Sequence, residues 1–272
     1  MFHVKHSGEL LKNQRVIAIA NQKGGVGKTT TVMNLGAALA ACEQTVLVLD
    51  LDPQCNCSSG LGWSGDGPSS YEVLEGLVPM REALAATRFP GLDLLPARRD
   101  LVGAEVELLG ESDRSERLRQ ALASSPTDHR WVLIDCPPSL GLLTLNALVA
   151  ADAVLIPIQC EYFALEGVSE LMRTLDRVRA AWNPELAVEG AVLTLYDDRV
   201  SLARQVVDEV RRFFGEAAFA TIIPRNVRLA EAPSFGKTIL EYDIRSRGAQ
   251  AYLSLAEELL RRRGTHEALR VG

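Results

Sequence analysis

Ala20-Asn21-Gln22-Lys23-Gly24-Gly25-Val26-Gly27-Lys28-Thr29-Thr30-Thr31 decides how this chain is read. The apolar run Val16–Ala20 precedes it and has the look of a buried strand. Behind it Val32, Leu35, Ala38 and Leu39 recur at helical spacing. Strand, glycine loop and helix in that order are the context in which a phosphate-binding loop is credible. Gly24, Gly25 and Gly27 allow the backbone to turn tightly and aim its N–H groups inward. A helix starting near Lys28 points its positive end at the same anion. Lys28 adds a full charge at the β- and γ-phosphates, and the Thr29 hydroxyl suits Mg²⁺.

Two further stretches end buried strands in acids. Thr45–Asp50 continues as Leu51-Asp52-Pro53-Gln54, so Asp50 and Asp52 share a face of an extended segment. Trp131-Val132-Leu133-Ile134-Asp135 is followed by Cys136-Pro137-Pro138, and the prolines stop the strand. Acids at the C-terminal edge of parallel strands face the crevice where α/β proteins bind ligands. Asp135 and Asp50, with Thr29, are the candidate Mg²⁺ residues. Apolar strands at 92–96, 153–158, 188–195 and 218–223 alternate with helical patterns at 167–181 and 201–214. Short helices are expected at 71–77 and 81–86, a loop over 58–70, and helices over 100–109 and 115–124. The alternation predicts a single doubly wound α/β domain, a mostly parallel sheet with helices on both faces. Residues 15–263 form that domain, 1–14 an N-terminal arm and 264–272 a C-terminal tail.

The strict phosphate-loop pattern places glycine at position 22, where this chain has Gln22, and it carries an extra lysine, Lys23. The form Lys23-Gly24-Gly25-Val26-Gly27-Lys28-Thr29-Thr30 resembles the deviant Walker A loop of the ParA/MinD ATPases. The segment Ile222–Lys237, Ile-Ile-Pro-Arg-Asn-Val-Arg-Leu-Ala-Glu-Ala-Pro-Ser-Phe-Gly-Lys, resembles the chromosomal ParA (Soj) branch in particular. The resemblance spans about residues 15–260. It implies that residues 23–30 cradle ATP, with Lys23 reaching across a nucleotide-sandwich homodimer to the partner's phosphates. It also implies that Asp52 helps position the attacking water, and that Pro224 and Asn226 lie near the adenine. The family usually has glycine where this chain has Cys55, and glycine suits a positive φ that cysteine disfavours.

Function follows from the same resemblance: an ATPase that dimerises on ATP, binds double-stranded DNA, and answers to a ParB-type centromere-binding protein. The net charge is −6, yet from Arg199 to Arg263 there are twelve Arg plus Lys against eight Asp plus Glu. Arginines matching Arg199 and Arg228 contact DNA in Soj-like relatives; Lys237, Arg245 and Arg247 fall in nearby loops or helix starts. No base-reading motif is present, so binding is expected to be non-specific and salt-sensitive. The alternative is a MinD-like ATPase that lies on a membrane and positions the division site. The last helix, over 249–263, carries leucines and then three arginines. It reads as a core-packing helix whose basic end complements its dipole.

No apolar run reaches transmembrane length and no apolar signal core opens the chain, so a cytoplasmic, nucleoid-associated protein without membrane contact is expected. Five cysteines at irregular spacing make neither a zinc pattern nor a disulfide framework. Finally, Met1-Phe2-His3-Val4-Lys5-His6 allows the coding ATG TTT CAC GTG AAA CAT. That coding contains the inverted repeat TGTTTCACGTGAAACA, which resembles the centromere-like site of ParB proteins; reading the gene's first bases tests it.

Overall fold

Strand β1 (Arg15–Ile19) alternates its side chains between two cores, Val16 and Ala18 into one, Ile17 and Ile19 into the other. A strand buried on both faces needs neighbours on both edges and layers above and below. In this computed structural model, which describes residues 14–162 and 164–271, β1 lies between β5 and β6 of an eight-stranded sheet. In chain order the elements are β1, α1 (Lys28–Ala41), β2 (Val46–Asp50), α2 (Asn56–Gly60), α3 (Ser70–Leu74), β3 (Ala85–Ala86), β4 (Leu92–Leu95), α4 (Leu101–Glu107) and α5 (Arg117–Ser124). They continue as β5 (Trp131–Asp135), α6 (Leu142–Ala150), β6 (Ala153–Gln159), α7 (Glu166–Ala181), β7 (Ala187–Tyr196), α8 (Ser201–Phe214), β8 (Ala218–Pro224), α9 (Val227–Glu231), α10 (Ile239–Asp243) and α11 (Arg247–Val271). The sheet order is β3-β4-β2-β5-β1-β6-β7-β8, parallel except for the short β3–β4 pair.

One face carries α1 and α11, packed through Leu35, Leu39, Leu255 and Leu259. The other carries α3 to α8, packed through Leu118, Leu143, Leu148, Leu171, Leu175 and Val206. The expected doubly wound α/β domain is what the chain forms. Local readings differ in places. The segment 81–86 is a 3₁₀ turn at Met80–Glu82 followed by the edge strand β3, because its alanines pair with β4 instead of presenting an apolar helical face. Residues 58–60, expected as the start of a loop, instead close the helix Asn56–Gly60, and α6 adds a helix where the sequence reading places none. The last helix runs from Arg247 to Val271, past the boundary drawn at 263. Of the N-terminal arm only Gln14 is described, its amide donating to Thr127 Oγ1 and the His129 carbonyl. The hexapeptide 1–6 lies outside the described residues.

The edge strand β8 is tied down by one buried carboxylate of α11. Glu258 accepts from the Ala220 and Thr221 N–H groups, both at 2.9 Å, from the Thr221 hydroxyl at 2.7 Å and from Arg262 at 2.8 Å. Burial pushes this carboxyl up, but those donors outweigh burial and hold it below its ordinary value. Glu258→Ala is expected to cost about 1–3 kcal/mol, since two strand N–H groups lose their acceptor. A carboxyl whose folded value is depressed stabilises fully above its unfolded value and loses that contribution as pH falls through the folded one. The gap between wild type and variant in urea unfolding is therefore widest at neutral pH and closes in acid.

Candidate functional site

The C-terminal ends of β1, β2 and β5 lie side by side, with Ile19, Asp135 and Asp50 in one register row. The glycine loop leaves β1 at that row, so its position is dictated by β1 being central. Gly25 has φ 74° and Gly27 φ 84°, values that a side chain resists. At Gly24 and Gly25 nothing stands within 4 Å of where a Cβ would be. Gly24 and Gly25 are exposed, with open space beside them.

Four hydrogen bonds, through Asn21, Thr194 and Lys28, hold the loop. Asn21 Nδ2 donates to the Pro157 carbonyl at 2.8 Å while its Oδ1 accepts from Lys23 N–H at 3.0 Å. Thr194 Oγ1, on β7, donates to the Val26 carbonyl at 2.8 Å. Lys28 Nζ donates to the Lys23 carbonyl at 3.2 Å. Helix α1 then begins at Lys28, with Thr31 N–H closing its first turn on the Gly27 carbonyl at 2.9 Å. Lys28 is buried, and that burial lowers its affinity for a proton, opposed by the charges of Asp135 and Asp52.

Asp135 is fully buried, and neither of its oxygens has a hydrogen-bond partner. Burial, then the Asp50 charge, raise its proton affinity well above a normal carboxyl; Thr29 and Lys28 favour the anion. An orphaned buried carboxylate beside a glycine cradle, a lysine and a threonine fits a Mg²⁺ ion serving phosphates. Among the described residues no group of three or more His, Cys, Asp or Glu is arranged to cage a metal.

Asp50 is busier than the sequence suggested. Its Oδ2 accepts from Ser58 N–H at 2.9 Å and Ser58 Oγ at 2.6 Å, and its Oδ1 from Asp52 N–H at 3.0 Å. Burial pushes it up to about 6 against those bonds. Asp50 therefore shapes the loop carrying Asp52 and keeps little lone-pair capacity for an ion. Asp52 is buried and accepts from Gln54 N–H at 2.9 Å, in a turn closed by Cys55 N–H on the Asp52 carbonyl at 2.8 Å. Cys55 adopts φ 57°, the left-handed conformation expected where the family has glycine, and bears its strain.

Other sequence candidates sit nearby. Pro224 ends β8 opposite Tyr196, and Asn226 caps α9 by accepting from Arg228 N–H at 2.8 Å. Arg199, Arg228, Arg245 and Arg247 are exposed and Lys237 is half-buried. Arg228 Nη1 meets Glu231 at 3.0 Å and its Nε lies 3.8 Å from Asp243. Arg199 is gripped by Asp197 at 2.7 Å. These arginines are thus part-neutralised by their own acids. Sequence reasoning passed over Asn21, Ser58 and Thr194. Asn21 sat inside the motif; Ser58 and Thr194 become visible only when strands are paired. All five cysteines are free.

Comparison with known proteins agrees with this geometry. A family model described as an AAA domain matches residues 14–188. The chain is 55% identical to the chromosome partitioning protein ParA of Caulobacter vibrioides strain NA1000, over 93% of this chain and 97% of that one. It is 49% identical to the sporulation initiation inhibitor protein Soj of Bacillus subtilis strain 168, over 90% and 98%. A structure named cobyrinic acid a,c-diamide synthase from Mycobacterium smegmatis, with bound ADP and magnesium, superposes with a TM-score of 0.80 at 44% identity, covering 91% of this chain and 94% of that one. With a glycine loop set over the strand-ending acids and identity to ParA and Soj proteins along nearly its whole length, this chain belongs to the ParA/Soj family of chromosome-partitioning ATPases.

Proposed function

We propose that this chain moves DNA by an ATP-driven cycle of dimerisation and release. Two subunits join across ATP. The dimer holds nucleoid DNA without reading its sequence. Hydrolysis, slow alone and stimulated by a ParB-type centromere-binding protein, frees it. Lys28, Thr29 and Asp135, with Asp50 behind them, hold the phosphates and Mg²⁺. Lys23 serves the nucleotide of the other subunit, Pro224 and Asn226 flank the adenine, and Asp52 orients the attacking water. Catalysis rests on positioning and charge neutralisation, with no covalent intermediate on the protein. Mg²⁺ supplies neutralisation of the charge that develops on the phosphate oxygens.

The observation that carries the DNA reading is placement. The strand ends nearest the glycine loop also lead to the exposed cations. Thr194 braces the loop from β7, whose next residues lead to Arg199. The Arg225 N–H donates to the Tyr196 carbonyl at 2.8 Å and opens the segment bearing Arg228. Arg199, Arg228, Lys237, Arg245 and Arg247 then form a surface for phosphates. Among the described residues no helix is long and apolar enough to cross a membrane.

Lys28→Ala is expected to lower steady-state phosphate release by about 100-fold, the cost of deleting a fixed charge from a transition state. Asp52→Ala should hydrolyse as poorly while still binding ATP. In gel shifts on random-sequence duplex, ATP but not ADP should drive binding. Asp52→Ala should prolong it, Arg228→Glu should abolish it, and rising salt should weaken it steeply. Absence of binding in every nucleotide state would defeat the DNA reading; ATP-dependent capture by lipid vesicles would then favour the MinD-like alternative.

A further inference from the structure

The turn after β6 carries Glu161, which no motif singles out. Its carboxylate faces two cations from distant parts of the chain. Lys23 Nζ, in the glycine loop, is 3.9 Å away, and Arg225 Nη2, just past β8, is 3.6 Å away. The Gln159 side-chain amide also donates to it. Among the described residues Glu161 is the acid paired with Lys23, and Lys23, Glu161 and Arg225 are all roughly half exposed. At 3.9 Å the Lys23 contact is an ion pair without a hydrogen bond, so breaking it requires no reorganisation of the loop. The loop's shape is fixed elsewhere, through Asn21, Thr194 and Lys28.

We propose that Glu161 is a positioning residue that keeps Lys23 within its own subunit until a partner's nucleotide is presented. The proposal rests on the reading of Lys23 as the lysine that crosses between subunits. Glu161 offers one negative charge and the triphosphate several, so phosphate wins the lysine once a second subunit brings it. Arg225 makes the exchange cheap. When Lys23 leaves, Glu161 keeps a guanidinium beside it and is not left as an unpaired anion at a closing interface, where an uncompensated charge is costly. The two residues therefore act in opposite senses. Glu161 raises the nucleotide concentration that dimerisation needs, and Arg225 lowers it by sharing the carboxylate.

The test is sedimentation velocity without DNA, titrating a non-hydrolysable ATP analogue with Mg²⁺. Glu161→Gln is expected to dimerise at a two- to five-fold lower analogue concentration, about the worth of an exposed ion pair. The advantage should fade at high salt as the pair is screened. Arg225→Gln should shift the midpoint upward, and the double variant should match Glu161→Gln. Glu161→Gln should not restore dimers to Lys23→Ala, and ADP affinity of Glu161→Gln should equal that of wild type, which also reports correct folding. A Glu161→Gln protein that needs more analogue would overturn the proposal by showing that Glu161 orients Lys23 inside the dimer. An unchanged midpoint would overturn it as well. If wild type stays monomeric with the analogue, the crossing-lysine reading itself fails and the proposal falls with it.

Discussion

Asp135 sits in the middle of the sheet, fully buried, with only the Thr29 hydroxyl and Lys28 favouring its charge, in register with the buried Asp50. Three buried carboxyls, Asp50, Asp52 and Asp135, and one lysine do not balance as a set of charges, and burying an unpaired carboxylate costs several kcal/mol. Burial pushes Asp50 and Asp135 toward their protonated forms. In the proposed site a Mg²⁺ ion held by Asp135 would take the place of its proton, beside Lys28 and the glycine loop. The remainder of the fold follows from keeping this arrangement dry. Parallel strands bring the three strand ends into one row. Helices on both faces exclude water from the row, and a central β1 places the loop directly above it.

The parallel sheet, the glycine loop at its edge and the acids ending its strands are legible in the sequence. Glycine spacing, strands ending in acids and helical periodicity each report a local constraint, and local constraints survive in a linear string. The misread stretches are those where a partner decides. Ala85 and Ala86 become strand because β4 offers an edge, and residues 58–60 are drawn into a helix where Asp50 captures Ser58. Asp50 shows the limit for site residues. Its position marks it as a candidate metal residue, and nothing in the string shows that its oxygens also shape the Asp52 turn. Glu161 shows the complementary limit, since nothing in its neighbours along the chain announces that Lys23 and Arg225 converge on it.

The Asp52 loop is joined to the Ile222–Lys237 signature at a point where only glycine fits. A Cβ on Gly236 would come within 2.9 Å of the Gly62 Cα, and both residues have positive φ. Such a backbone-on-backbone contact transmits displacement without slack, because close-packed atoms have no soft direction in which to yield. Whatever changes the turn after Asp50 is felt at residues 232–236, next to the helix bearing Arg228. Asn34 adds a second tie, linking Thr30 of the first helix turn to the start of α10. The nucleotide end and the arginine-bearing end are therefore one mechanical unit.

In the proposed cycle, this construction explains why an acidic chain would need two copies to hold DNA. Arg199 is occupied by Asp197 and Arg228 by Glu231 and Asp243, so these two arginines already have counter-ions at the surface. A single patch must displace those acids for each phosphate it gains, which leaves little net attraction at cellular salt. Joining two patches makes the second set of contacts intramolecular, and the added phosphates multiply the counter-ions released. Self-neutralisation thus turns a graded affinity into a dependence on the dimer. The acids beside the arginines are then as much a part of the switch as the arginines themselves.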